Sequence, residues 1–234
     1  GVIGRSLNEI SVMKTDGFID YQDDIPFYWD ALGNKCYQTI EGSKSTYLRP
    51  GQFKYIDVNG DGMISSADMV KIGSPLPLFS GGLVSEFTWK NLDINISMSY
   101  QVGRYTVNQM TLNSIGNTPG PFLADINKIT FWSQPGDKPD YQYGGEDSWI
   151  TDRDVEKVNW LKLKTMTIGY SLPKAWSSKV GLKQIRVFAS GENLLTFTNY
   201  SGLDPETIDI RTGMDGGKNY PLARKFTIGL TVKF

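Results

Sequence analysis

Residues 57–68 read DVNGDGMISSAD, in which oxygen-bearing side chains alternate around two glycines with the spacing of a calcium-binding loop. Asp57, Asn59 and Asp61 fall at positions 1, 3 and 5 of such a loop, and Gly62 falls at position 6, where the chain must turn sharply. Met63 would offer its backbone carbonyl at position 7, Ser65 could hold a ligating water at position 9, and Asp68 would close the site at position 12. Every donor is an oxygen, as a hard cation requires, and a flexible loop with many such ligands favours Ca2+ over Mg2+. The expected ion is structural and pins a long loop. The alternative is a cluster of Asn-Gly and Asp-Gly turns that binds nothing.

The closing Asp68 is shorter than the usual Glu, and the preceding segment, GQFKY at 51–55, is no amphipathic helix. The loop therefore resembles the dockerin type rather than a paired calcium-sensor hand. Little else is equipped for chemistry. The 234 residues include no His, which removes imidazole bases, His-ligated metals and His-dependent triads. Asp152, Asp154 and Glu156 could form an acid–base pair, but a solvated charged loop is the preferred reading, and no catalysis is assigned. A hydrolase is accordingly disfavoured. The single Cys36 excludes an intrachain disulfide and a Cys-rich zinc site. With 24 Lys and Arg against 25 Asp and Glu, the net charge of −1 argues against nucleic acid as a partner. The loop aromatics Tyr28, Trp29, Trp132, Tyr141, Tyr143 and Trp149 either stack on sugars or a partner, or pack within the loops themselves.

The elements that must carry these groups are strands. In the last residues Phe226, Ile228, Leu230, Val232 and Phe234 share one face, and Lys225, Thr227, Gly229, Thr231 and Lys233 the other. The same period runs through Leu92, Ile94, Ile96, Met98, Tyr100 and Val102. With Leu83, Phe87 and Trp89 before the Lys90-Asn91 turn, it predicts a β-hairpin over 81–102. Between Trp160 and Leu172 the apolar phase changes, from Leu161 and Leu163 to Met166, Ile168 and Tyr170, which predicts a bulge near Lys164 or a strand crossing between environments. Ile185, Val187 and Ala189 continue the pattern after a turn that starts at Pro173. Long segments at 17–78, 103–157 and 194–223 separate the strands. Short turns at one end and long loops at the other are the layout of an outer-membrane β-barrel, whereas a sandwich with one wet face gives the same alternation. No stretch is apolar for long enough to form a transmembrane helix, and no secretory signal is visible at the N-terminus.

Four blocks resemble the C-terminal part of the SusC/RagA family of TonB-dependent outer-membrane transporters. They are YIDVNGDGMISSADMVKIGSPLPLFSGGL at 55–83, WLKLKTMTIGYSLP at 160–173, IRVFASGENLLTFTNYSGLDPE at 185–206 and YPLARKFTIGLTVKF at 220–234. They stand in the family's order, and Phe234 ends an alternating strand as in the barrel-assembly signal. The resemblance implies an all-β fold: the C-terminal strands of a transmembrane antiparallel barrel of 22 strands in the full protein, with long extracellular loops. It implies import of an oligosaccharide or peptide across the bacterial outer membrane, driven by TonB through an N-terminal part that this sequence lacks, with a SusD-like surface lipoprotein as cap.

About six strands are expected here, near 5–16, 79–89, 92–102, 159–172, 183–193 and 224–234. Such an arc leaves two unpaired edges that lipid cannot satisfy, so residues 1–234 are expected to be one segment of a larger transporter. This places the 17–78 loop with its calcium motif, and the loops at 103–157 and 194–223, outside the cell. The competing function is a secreted, soluble, calcium-stabilised β-domain that binds glycans. In that case Ile94, Ile96, Met98, Ile228 and Leu230 would form a dry core instead of meeting lipid.

Overall fold

A computed structural model describes residues 9–41, 48–109, 130–142, 149–217 and 219–234. The chain divides into two compact units. The first comprises the described parts of Gly1–Leu76, Tyr105–Glu156 and Ile208–Asn219, and the second comprises Pro77–Arg104, Lys157–Thr207 and Tyr220–Phe234.

The first unit is built from short pairs of strands. β1 (Ile10–Val12) pairs antiparallel with β8 (Val70–Gly73), β2 (Thr15–Phe18) with β6 (Phe53–Tyr55), and β3 (Phe27–Trp29) with β4 (Lys35–Tyr37). β5 (Thr39–Ile40) runs parallel to β7 (Met63–Ile64). These pairs are too short to be stable alone. They are fixed by a core of Met13, Ile19, Ile25, Ile40, Leu48, Phe53, Tyr55 and Ile64, against which Tyr141 and Trp149 pack. The segment read as a long loop is thus an ordered mini-domain with its own apolar interior.

The second unit is a wall of long antiparallel strands. β9 (Phe79–Trp89) and β10 (Leu92–Asn108) form the expected hairpin, with Trp89 opposite Leu92 and Lys90 at φ 54 in the turn. β11 (Val155–Ser171) adjoins β10, and the Gly103 N–H donates to Asn159 while the Ser171 N–H donates to Asn91, so the two run in opposite directions. β12 (Gln184–Thr198) pairs with β11, and the register shifts between Leu163 and Thr165. Two residues, Asn193 and Leu194, stand there against Lys164, so the extra residue lies on β12, where Asn193 takes φ 53. The bulge expected near Lys164 is therefore present with its extra residue on the partner strand. In the first unit β13 (Met214–Asp215) pairs parallel with the end of β10. β14 (Lys225–Lys233) completes the wall against β12. Among the described residues no helix is long and apolar enough to cross a membrane, which leaves crossing by strands open.

Five of the expected strands are present. The described part of the sixth differs: Ile10, Val12 and Met13 are buried and pair with β8 or lie in the first unit's interior, because their side chains find apolar partners there. β10 and β11 also run beyond 102 and begin before 159. Their outer ends carry Thr106 and Val107, which are buried in the first unit, so the alternation rule for a lipid-facing strand does not report them.

The two faces of the wall differ chemically. Phe226, Ile228 and Leu230 on β14 are 77, 83 and 62% exposed, and Leu83, Phe87, Ile168, Tyr170 and Val187 are also exposed. The opposite face is polar and cross-linked. Arg186 Nε donates to Asp93 at 2.9 Å and its Nη2 makes a second contact there, reaching from β12 across β11 to β10. It passes over Gly169, where any Cβ would collide with the guanidinium. Thr167 and Ser190 hydrogen bond at 2.9 Å on the same face.

Candidate functional site

The DVNGDG loop folds as a nest of Asx turns. Asp57 accepts from the Gly60 and Gly62 N–H groups, both at 2.7 Å, Asn59 Oδ1 accepts from the Asp61 N–H at 2.9 Å, and Asp61 Oδ1 from the Met63 N–H at 2.8 Å. Gly60 and Gly62 take φ 76 and 81, which an L side chain resists. Gly62 is doubly constrained, because the Tyr28 ring lies directly against it. The carbonyl of Gly62 accepts from the Thr39 N–H at 3.1 Å, and β5 pairs with β7 immediately after the loop.

Asp68 sits differently from the other acids. It is fully buried; one oxygen accepts from the Val58 and Asn59 N–H groups at 2.9 and 3.2 Å, and the other from the Ser65 N–H at 2.9 Å. It ties the start of the loop to its end. Among the described residues no three His, Cys, Asp or Glu side chains gather as a metal cluster. The donor set at positions 1, 3, 5 and 7 nonetheless fits a hard cation: Asp57 is half-buried, Asn59, Asp61 and Met63 are exposed, and all four offer oxygen within one turn. Asp68 already accepts three backbone amides, which leaves a lone pair on the oxygen that bonds Ser65 for a closing contact.

A second cluster gathers on β11. Lys162, 2% exposed, donates to both Asp204 oxygens at 3.1 and 3.0 Å and to Glu206 at 2.8 Å, and Lys164 also pairs with Glu206. Asp204 further accepts from the Leu222 and Glu206 N–H groups. Arg104, also buried, donates to the Pro205 carbonyl at 3.5 Å. The LDPE stretch is thus pinned to β11 by buried charge, an anchor that single-residue reading does not find. Its only trace in the sequence is a pair of lysines at positions the apolar alternation assigns to the other face.

The acidic trio at 152–156 is not the solvated loop it was expected to be. Asp154 is buried and accepts from the Thr151 N–H and hydroxyl and from the Tyr141 hydroxyl. Burial raises its carboxyl above the usual range, against those hydrogen bonds. Asp152 accepts from the Thr15 N–H and hydroxyl on β2, and Glu156 from Asn108 on β10, so the three acids have separate partners and do not face one another as an acid–base pair. The aromatics divide as well. Trp132 donates to Asp20, and Tyr141 and Trp149 pack on the first unit's core, whereas Tyr28 and Trp29 are exposed. Tyr143 lies outside the described residues.

No protein-family model matches the chain. Over 195 residues it is 35% identical to TonB-dependent receptor P3 of Formosa agariphila, covering 79% of this chain and 19% of that protein. It is 26% identical to TonB-dependent receptor SusC of Bacteroides thetaiotaomicron, covering 80% and 18%. It therefore spans about a fifth of the length of these relatives. A solved structure of the RagAB peptide transporter superimposes with a TM-score of 0.63 at 22% identity, over 79% of this chain and 21% of that one. A second, the RagAB peptide importer in a closed-closed state, gives 0.60 at 21% identity over 97% and 23%. Both likenesses concern the fold alone.

Proposed function

We propose that this chain, which belongs to the SusC/RagA family of TonB-dependent outer-membrane receptors, forms part of an importer of oligosaccharides or peptides. The observation that carries this reading is the wall's chemical asymmetry: one face exposes Phe226, Ile228 and Leu230, and the other carries the Arg186–Asp93 pair and the Thr167–Ser190 hydrogen bond. An apolar face that meets lipid and a polar face that lines a lumen is the arrangement a transport barrel needs. The chain supplies no catalysis. It moves substrate past a cap, a SusD-like lipoprotein, and draws on TonB through the receptor's N-terminal part.

In this reading the segments 17–78, 103–157 and 194–223 lie outside the cell. Uptake tests it. Cells that lack the receptor should stop taking up one class among defined oligosaccharide and peptide mixtures, and loss of TonB should give the same defect. Unchanged uptake of every mixture would sink the importer.

The 57–68 loop binds Ca2+ in this scheme, through Asp57, Asn59, Asp61 and the Met63 carbonyl, with Asp68 closing the site from position 12. When bound, the ion neutralises carboxylates that the backbone amides otherwise hold. The bound loop would hold the region the cap docks on. The receptor's melting midpoint should rise with millimolar Ca2+ and fall with chelator, and Asp57→Ala with Asp61→Ala should abolish the difference and weaken capture of the cap. An identical midpoint with Ca2+ and with chelator would remove the ion from the account.

A further inference from the structure

We infer that the short-turn end of the wall is an anchoring surface for anionic phospholipid headgroups. The inference rests on the outer-membrane location and not on the transport reading.

Hydrogen bonds hold four strand ends together there. The Ser171 N–H donates to the Asn91 carbonyl, the Leu172 N–H to the Ile185 carbonyl, and the Lys183 N–H to the Lys233 carbonyl. Onto this one rim the chain places Lys90, Lys174, Lys179, Lys183 and Lys233, all exposed. Among the described residues none of the five makes an ion pair with a carboxylate, while lysines elsewhere, such as Lys54, Lys71, Lys162 and Lys225, do. The sequence enforces this. No Asp or Glu occurs in 87–92, 172–191 or 226–234, and the nearest acid, Asp93, is already held by Arg186. In a chain whose net charge is −1, this rim gathers five lysines with no acidic side chain among its turn and strand-end residues.

The same rim is apolar between its charges. The helical turn Lys174–Ser177 carries Trp176, which is 64% exposed, and Val180 in the following turn is equally exposed. Trp89 and Phe234 are exposed beside them, and the Lys90 ammonium lies 4.8 Å from the Trp89 ring centre. Amphipathic rings seek the headgroup layer, and lysines snorkel from there toward phosphate. Each lysine near an anionic surface contributes about 1 kcal/mol, so several act together on a charged lipid and hardly at all on a zwitterionic one. The turn between β11 and β12 is thus a docking element for anionic lipid rather than a bare connection.

The test uses the complete receptor in detergent, with phosphatidylglycerol or phosphatidylcholine added and bound lipid counted by native mass spectrometry. The receptor should retain phosphatidylglycerol in a salt-sensitive way and retain little phosphatidylcholine. K174Q/K179Q/K183Q should weaken phosphatidylglycerol retention by about a hundredfold, given about fivefold for each lysine. Trp176→Ser should weaken both lipids alike. Heat-modifiable migration on gels checks that each variant still folds as a barrel. Equal retention of the two lipids, or unchanged phosphatidylglycerol binding in the triple variant, would overturn the inference. So would a rim that captures a soluble acidic polymer in preference to the added phosphatidylglycerol.

Discussion

Ile228→Lys should remove about 2 to 4 kcal/mol from the folded receptor in a bilayer, the cost of a cation on the lipid face near mid-strand. Ile228 is 83% exposed and stands opposite Ala189 in the middle of β14. In water such exposure would be a liability, but in lipid it is the side chain's proper solvent. One residue earlier, Thr227 faces Ser190 on the polar side. Thr227→Lys should therefore cost far less, since strand neighbours point to opposite faces. Urea titration of the receptor in lipid vesicles, read by heat-modifiable migration, compares the two. Equal losses would mean that both faces of β14 meet the same medium, as in a two-sided soluble sheet. The rival reading, a secreted glycan-binding β-domain, puts Ile228 and Leu230 in a dry core and so ranks the two variants the same way; it differs in requiring the fold to form in plain buffer without lipid or detergent.

What the sequence made legible follows from period. β9, β10, β11, β12 and β14 could be read because a half-lipid, half-aqueous wall writes an alternation of two into every strand. The phase change at Leu163 to Met166 could be read for the same reason, although the register places the extra residue at Asn193 on the neighbour, which no single-strand pattern can say. The mini-domain was opaque. Its strands are two to four residues long, too short to show a period, and its core draws Met13, Leu48 and Trp149 from distant stretches. The calcium motif illustrates a further limit. Spacing proposes Asp57, Asn59, Asp61, Met63 and Asp68 as ligands, but it does not show that Asp68 is buried on three backbone amides. Likewise Asp154 looked like a solvated acid, because nothing local signals that Tyr141 and Thr151 will close over it.

Lys162→Met is expected to release the LDPE stretch from the wall. Its ammonium sits in nearly full burial between Asp204 and Glu206, and removing it leaves the Asp204 carboxylate buried without its cation. Breaking a buried pair in this one-sided way costs about 3 to 5 kcal/mol, whereas removing both charges in the double variant Lys162→Met with Asp204→Asn should recover much of that. The exposed Lys225–Glu192 pair, at 3.4 Å, is the control, and Lys225→Met should change stability by less than about 1 kcal/mol. Hydrogen exchange over residues 199–222 reads the effect directly, since the Leu222 and Glu206 N–H groups both end on Asp204. The same latch has a pH dependence. Burial pushes the Glu206 carboxyl up, but its bonds from Lys162 and Lys164 outweigh that and hold it below the ordinary glutamate value. A carboxyl depressed in the folded state adds stability above its unfolded pKa of about 4.3, and that stability is lost as pH falls through the folded value. Exchange over 199–222 should therefore quicken at acid pH beyond its intrinsic trend, and Glu206→Gln should flatten the response. A segment equally protected in Lys162→Met and in the unaltered receptor would mean that the loop is held by packing, with the buried charges as bystanders.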